Sequence, residues 1–135
     1  MPPPLPPLPA PLVACVNSSE DLVWLLAEYF REEGFRAVTQ VSSSHTDPTR
    51  LLTFLRDLQP DACLYAISPP YEAGWAEFQR LTAAVPALPF VLTTTNKPAL
   101  DALVGPTDAL EIIGKPYDLD QLVAAVRRAL ARQHA

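Results

Sequence analysis

The chain has 135 residues, which at roughly 100–200 residues per domain leaves room for one domain and no second folded unit of any size. Fifteen Asp and Glu against ten Lys and Arg give a net charge of −5, so a broad basic surface for direct nucleic-acid binding is not expected. Hydrophobic residues are 49% of the chain and charged ones 19%, close to ordinary globular usage and enough for a packed core.

The first eleven residues, MPPPLPPLPAP, hold seven of the sixteen prolines. This composition favours polyproline II, which makes no internal hydrogen bonds, so the stretch reads as a stiff spacer, a docking strip for an aromatic groove, or a plain extension. It has no basic start and no continuous apolar run, and nothing later reaches 18 apolar residues. No signal peptide and no membrane span is therefore expected, and a cytoplasmic location is. The expected organisation is a Pro-rich tail over 1–11, a folded domain over 12–132 and a C-terminal end over 133–135.

From Leu12, the run LVACV reads as a strand buried on both faces. Asn17-Ser18-Ser19 ends it, and Ser18 with Asp21 three residues on resembles a helix N-cap box. Leu22, Leu25, Leu26, Tyr29 and Phe30 follow at helical spacing, and Gly34 closes the helix. Phe35 to Val41 is more polar and alternating, as suits a strand at a sheet edge. After a loop containing His45, Asp47 caps a helix with Pro48 at its first position and Leu51, Leu52, Leu55 and Leu58 as its apolar stripe.

Ala62 to Ile67 is the third strand, ended by Ser68-Pro69-Pro70. A helix from about Glu72 to Ala84 turns Trp75, Phe78 and Leu81 inward. Phe90 to Thr94 is the fourth strand, and a short helix near Ala99 to Val104 precedes Gly105-Pro106. Leu110 to Ile113 is the fifth strand. Asp118 with Gln121 forms a capping box for a last helix bearing Leu119, Leu122, Val123, Val126 and Leu130 on one side, with Arg127, Arg128 and Arg132 towards its C-terminal end. Cys15 and Cys63 each lie in an apolar run without a second ligand at metal-binding spacing, so they read as buried free thiols.

Five alternating strand–helix units predict an α/β protein with a doubly wound five-stranded parallel sheet and right-handed crossovers. Function in such folds sits in the crevice beyond the carboxyl ends of the strands. Here those ends are Asn17-Ser18, Ala66 to Ser68, Thr93 to Thr95 and Lys115-Pro116.

With Gln59-Pro60-Asp61 before the third strand, Pro70 beyond its end, Thr94 at the end of the fourth strand and Lys115-Pro116-Tyr117 after the fifth, the chain resembles the receiver domains of two-component response regulators from Leu12 to Leu130. The resemblance implies the flavodoxin-like (βα)5 fold with strand order 2-1-3-4-5. It also implies where receivers keep their chemistry: a phosphoacceptor Asp at position 66, an acidic Mg²⁺-binding pair at 17 and 18, a switch hydroxyl and a Lys at 94 and 115, and an aromatic switch ring at 112.

Position by position, this chain departs from that pattern. Ala66 has no nucleophile, Asn17 and Ser18 have no carboxylate, and Ile112 is not aromatic; Thr94 and Lys115 are retained. Mg²⁺ needs one or more carboxylates, and phosphoryl transfer by this route needs both nucleophile and charge neutralisation. Neither a metal, a cofactor nor catalysis is expected, because a serine such as Ser68 also needs a base and the only histidines are His45 and His134.

The resulting expectation is a pseudo-receiver that stands alone, with no output domain, and signals without phosphorylation through a protein partner. A homodimer through the face of helix four, strand five and helix five would be in keeping with the receiver resemblance, with Leu103, Ile112 and Arg127 as neighbourhood residues. The competing reading is a sensor whose vacated cleft takes a small molecule or an anion, with Asn17, Ser68, Thr94 and Lys115 as the pocket. No glycine follows the first strand, which argues against a dinucleotide.

Overall fold

A computed structural model describes residues 10–42, 48–105, 111–114 and 118–133. Residues 1–9, most of the Pro-rich stretch, lie outside them, as do His45, Asp47, Lys115, Pro116, Tyr117 and His134. The elements run β1 (Leu12–Asn17), α1 (Glu20–Glu32), β2 (Arg36–Val41), α2 (Pro48–Leu58), β3 (Ala62–Ile67), α3 (Tyr71–Ala84), β4 (Phe90–Thr94), α4 (Lys97–Val104), β5 (Glu111–Gly114) and α5 (Leu119–Gln133). The five strands form one parallel sheet in the order β2-β1-β3-β4-β5. This is the flavodoxin-like order expected from the sequence, with the polar β2 at an edge.

Alternation along each strand sends side chains to two separate cores, as the period of two requires. Val13, Cys15, Ala62, Leu64 and Val91 pack under α1 and α5 against Leu26, Phe30, Leu122 and Val126. Ala14, Val16, Cys63, Tyr65 and Leu92 pack on the other side against Leu51, Leu55, Phe78, Leu81 and Leu100 from α2, α3 and α4. The second core is the more aromatic one: the Tyr65 ring stacks on Phe78 at 5.6 Å, and Phe78 meets Phe90 edge-on at 5.0 Å. Cys15 and Cys63 are buried and free, as expected, and lie in opposite cores.

Local chemistry explains the boundaries. Ser19, one residue after the expected cap, accepts the Leu22 amide at 3.2 Å, because Ser18 remains in the turn where Asn17 Oδ1 takes the Ser19 amide at 3.1 Å. At the other end of α1, Gly34 adopts φ +95°, and the Phe35 amide donates back to the Phe30 carbonyl at 3.0 Å. The Phe30 and Phe35 rings meet edge-on at 5.3 Å, the apolar contact that often accompanies a left-handed helix stop. Asn96 caps α4 by accepting the Ala99 amide at 3.2 Å, with Pro98 in the first turn. That cap starts α4 two residues earlier than its apolar residues indicate. Before α5, the Asp118 amide donates to Gln121 Oε1 at 2.9 Å, the expected box.

Two apolar stripes are rotated from their expected positions. In α1, Val23, Leu26, Ala27 and Phe30 are buried while Leu25 is 50% exposed. Successive residues turn by about 100° on a helix, and the small Val23 and Ala27 move the centre of the stripe away from Leu25. In α2, Leu51 and Leu55 are buried and Leu58, at the end of the helix, is 41% exposed. Asp61 ties β1 to β3: its carboxylate accepts the Leu12 amide at 2.7 Å, and its own amide donates to the Leu12 carbonyl at 2.7 Å.

Candidate functional site

At the carboxyl ends of β1, β3 and β4 the side chains change from apolar to small and polar within one residue. Val16 pairs with Tyr65 and Ala66 with Thr93, so Asn17, Ala66 and Thr93 stand side by side where the strands leave the sheet. Together with Ser18, Ser19, Ser68, Thr94 and Thr95 they line an open cleft of about 510 Å³. Its remaining wall comes from α1, through Asp21, Leu22 and Leu25. The exposed Leu25 is thus an apolar rim of the cleft.

Asn17 and Thr94 are buried, with 8% and 4% exposure, whereas Ser18 and Ser68 are exposed and Ala66 is half-buried. The polar groups of the cleft largely serve the backbone. Asn17 holds the β1–α1 turn, Ser19 caps α1, and Thr94 Oγ1 accepts the Asn96 amide at 3.3 Å in the turn into α4. The Thr95 and Tyr71 hydroxyls are hydrogen-bonded at 2.7 Å, joining the start of α3 to the end of β4. That clasp stands beside the cleft, and the sequence gives no sign of it, because Tyr71 falls between Ser68-Pro69-Pro70 and the helix expected from about Glu72.

Three of the four expected pocket residues, Asn17, Ser68 and Thr94, therefore meet in one cleft; Lys115 lies outside the described residues. Asp21 was not expected there. Three positions after Ser18 it reads as the partner of a helix cap, yet its first-turn position carries it to the cleft, where its carboxylate opposes the binding of an anion. Ile112, on β5, packs on the side of α2 to α4 as an aliphatic member of that core.

The residues present do not fit a magnesium ion. The positions that resemblance assigns to its carboxylates hold a methyl group, an exposed hydroxyl, and an amide oxygen already engaged by the Ser19 amide. Mg²⁺ gives up its water reluctantly and is usually held through carboxylates. Nor is any cleft hydroxyl hydrogen-bonded to a base among the described residues, and an oxygen nucleophile needs one. The arrangement offers neutral hydrogen-bonding groups, one carboxylate and an apolar rim.

On the face proposed for self-association, Arg127 is misplaced. It turns towards α1, donating to the Glu33 carbonyl at 3.3 Å with its guanidinium 5.6 Å from the Phe35 ring. The cations on the β5 side of α5 are Arg128 and Arg132, which reach the Glu111 carboxylate at 2.7 and 3.4 Å. The helical turn separates these positions, a distinction that their common location near the helix end conceals.

An α/β sheet with this strand order and an open cleft at its carboxyl edge is the architecture of the response-regulator receivers. No protein-family profile matches the chain. It is similar to the DNA-binding transcriptional regulator NtrC of Salmonella typhimurium, with 27% identity over 122 residues that cover 89% of this chain and 25% of NtrC. The chain thus spans about a quarter of the length of the curated relatives it matches.

Among solved structures, it superposes on a transiently phosphorylated "switch" in bacterial signal transduction with a TM-score of 0.74 and 23% identity, covering 95% of this chain and 100% of that one. The signal receiver domain of an HD domain-containing protein from Pseudomonas fluorescens Pf-5 gives a TM-score of 0.74 at 23% identity, covering 93% of this chain and 98% of that one. The chain has the receiver fold. Among the described residues, no helix is long and apolar enough to cross a membrane.

Proposed function

We propose that this chain is a pseudo-receiver, a signalling module that passes information by contact with a protein partner and takes no phosphoryl group in its cleft. The carrying observation is Ala66: the residue in the phosphoacceptor position lines the cleft with a methyl group. Asn17 and Ser18, opposite it, bring no negative charge for a metal. The similarity to NtrC and to receiver structures supports the signalling role, since a receiver's output is a surface read by another protein or domain. The experiment is incubation with acetyl phosphate and Mg²⁺ followed by intact-mass measurement. The proposal expects no phosphoryl adduct, and a stoichiometric adduct would overturn it.

A second reading, binding of a small molecule in the strand-end cleft, is favoured by the size of that cleft. Its lining of hydroxyls and amide, with Leu22 and Leu25 at the rim and Asp21 beside them, suits a neutral polar molecule better than an anion. Thermal-shift screening separates the two readings, because a bound ligand raises the melting temperature as its concentration rises.

A further inference from the structure

A second cavity, of about 180 Å³, lies on the flank of the domain between α2 and α3. It has an apolar floor of Leu51, Leu52, Leu81 and Ala84, and its polar lining is Ser42, Thr49, Tyr65, Glu77 and Arg80, of which only the last two are charged. Tyr65 is only 7% exposed, yet its hydroxyl has no hydrogen-bond partner among the described residues. Buried tyrosine hydroxyls usually have one, and leaving a buried polar group unsatisfied costs about 1–3 kcal/mol.

Glu77 and Arg80 stand one helical turn apart on α3, a spacing at which opposite charges commonly pair. Here they form no ion pair among the described residues, and both line the cavity. Burial, and next the negative charge of Glu77, push the Tyr65 phenol up to about 12, so it remains a protonated donor. One buried hydroxyl without a partner among the described residues, a half-buried carboxylate and an exposed guanidinium thus stand around one small apolar recess.

We propose that this cavity is a binding site for a small zwitterion with an apolar side chain, namely a free aliphatic α-amino acid. Glu77 takes the ammonium, Arg80 the carboxylate, and Leu51, Leu52, Leu81 and Ala84 the side chain. The Tyr65 hydroxyl serves whichever charged group lies above it. The volume equals about six water molecules at ~30 Å³ each and falls below the roughly 300–1,000 Å³ of drug-sized pockets, which suits a molecule of this size. The ligand's two charges match the two that the protein leaves unpaired. Ser42, Tyr65 and Glu77 also line a smaller recess shared with Ser18, Ala66 and Ser68, so the site adjoins the strand-end cleft without being part of it.

The test is calorimetric titration with L-leucine, 3-methylbutylamine and 4-methylpentanoate, which share the side chain and carry both charges, the positive one and the negative one. Wild type is expected to bind leucine at least about tenfold more tightly than either analogue, the loss of one charge-assisted hydrogen bond. Glu77→Gln and Arg80→Gln, at the protein surface, should each cost a similar factor. Tyr65→Phe, which keeps the ring and the packing, should cost about threefold with an unchanged circular dichroism spectrum. No binding of any probe at about 10 mM, equal affinity for all three, or full leucine binding by Glu77→Gln would overturn the proposal.

Discussion

The core beneath the sheet and the cleft at its carboxyl edge are built from the same strands and obey different physics. Below Val16, Tyr65 and Leu92 every inward residue is apolar and packed, so each side chain is held by its neighbours on all sides. Beyond them, Ala66 and Thr93 still pair in the sheet but line the cleft, and Asn17 and Thr94 use their side-chain oxygens to accept the backbone amides of the turns that follow. The core therefore determines the fold whatever occupies the cleft. Asn17, Ser18 and Ala66 line the cleft and belong to neither apolar core, so the receiver fold does not depend on a carboxylate at any of them.

The sharpest way to break this comparison is to truncate one residue on each side of the boundary. Leu64→Ala, at a fully buried core position, should cost about 2–5 kcal/mol of stability in urea unfolding. Thr94→Ala, at the cleft, loses one hydrogen bond and should cost about 1 kcal/mol. Equal costs would mean that the cleft is structural after all.

Alkaline pH probes the core from another direction. Burial raises the Cys63 thiol well above its ordinary range, and the Cys15 thiol to about 12. The folded state then holds protons that the unfolded chain releases near pH 9. This contribution to stability is complete below about pH 9 and is lost as the pH rises towards the folded value. Urea midpoints should fall steadily between about pH 9 and 11, and a variant with Cys15→Ala and Cys63→Ala should show a shallower decline. At pH 8 neither native thiol should react with a thiol reagent on the time scale of mixing.

A smaller effect is expected at the helix start. Ser19→Ala removes the cap of α1 and should cost about 1 kcal/mol, while Ser18→Ala, one residue earlier and exposed, should change little. The reverse order in urea midpoints would return the cap to Ser18. Smallest of all is Tyr71→Phe, which opens the exposed clasp to Thr95. It should change stability by less than about 1 kcal/mol, with amide shifts confined to the cleft wall.

The layers of the fold are legible in the sequence because continuous apolar runs and helical periodicity alternate five times, and every strand lies where those runs lie. What periodicity conceals is rotation about a helix axis. Leu25 and Leu58 fit an apolar spacing and are exposed, while Val23 and Ala27 carry the buried stripe. The same rotation separates Arg127, which faces α1, from Arg128 and Arg132, which face Glu111. At the site, Asn17, Ser68 and Thr94 were legible because strand ends converge in this architecture. Asp21 was legible only as a helix-cap residue, and Tyr71, just before the helix expected from about Glu72, carried no signal. The α2–α3 recess left no trace at all, because Tyr65 reads as a strand residue and Glu77 and Arg80 as a solvated helix face.

The central claim is that the cleft is a receiver cleft emptied of its metal and phosphoryl chemistry by the three residues Asn17, Ser18 and Ala66. The most direct measurement is an Mg²⁺ titration followed by amide NMR, run on wild type and on the triple variant Asn17→Asp, Ser18→Asp, Ala66→Asp. The account predicts that the amides of residues 17, 18 and 66 stay unshifted in wild type up to about 10 mM Mg²⁺ and titrate in the variant, where carboxylates are restored. Titration of those amides in the wild-type protein at about millimolar Mg²⁺ would contradict it.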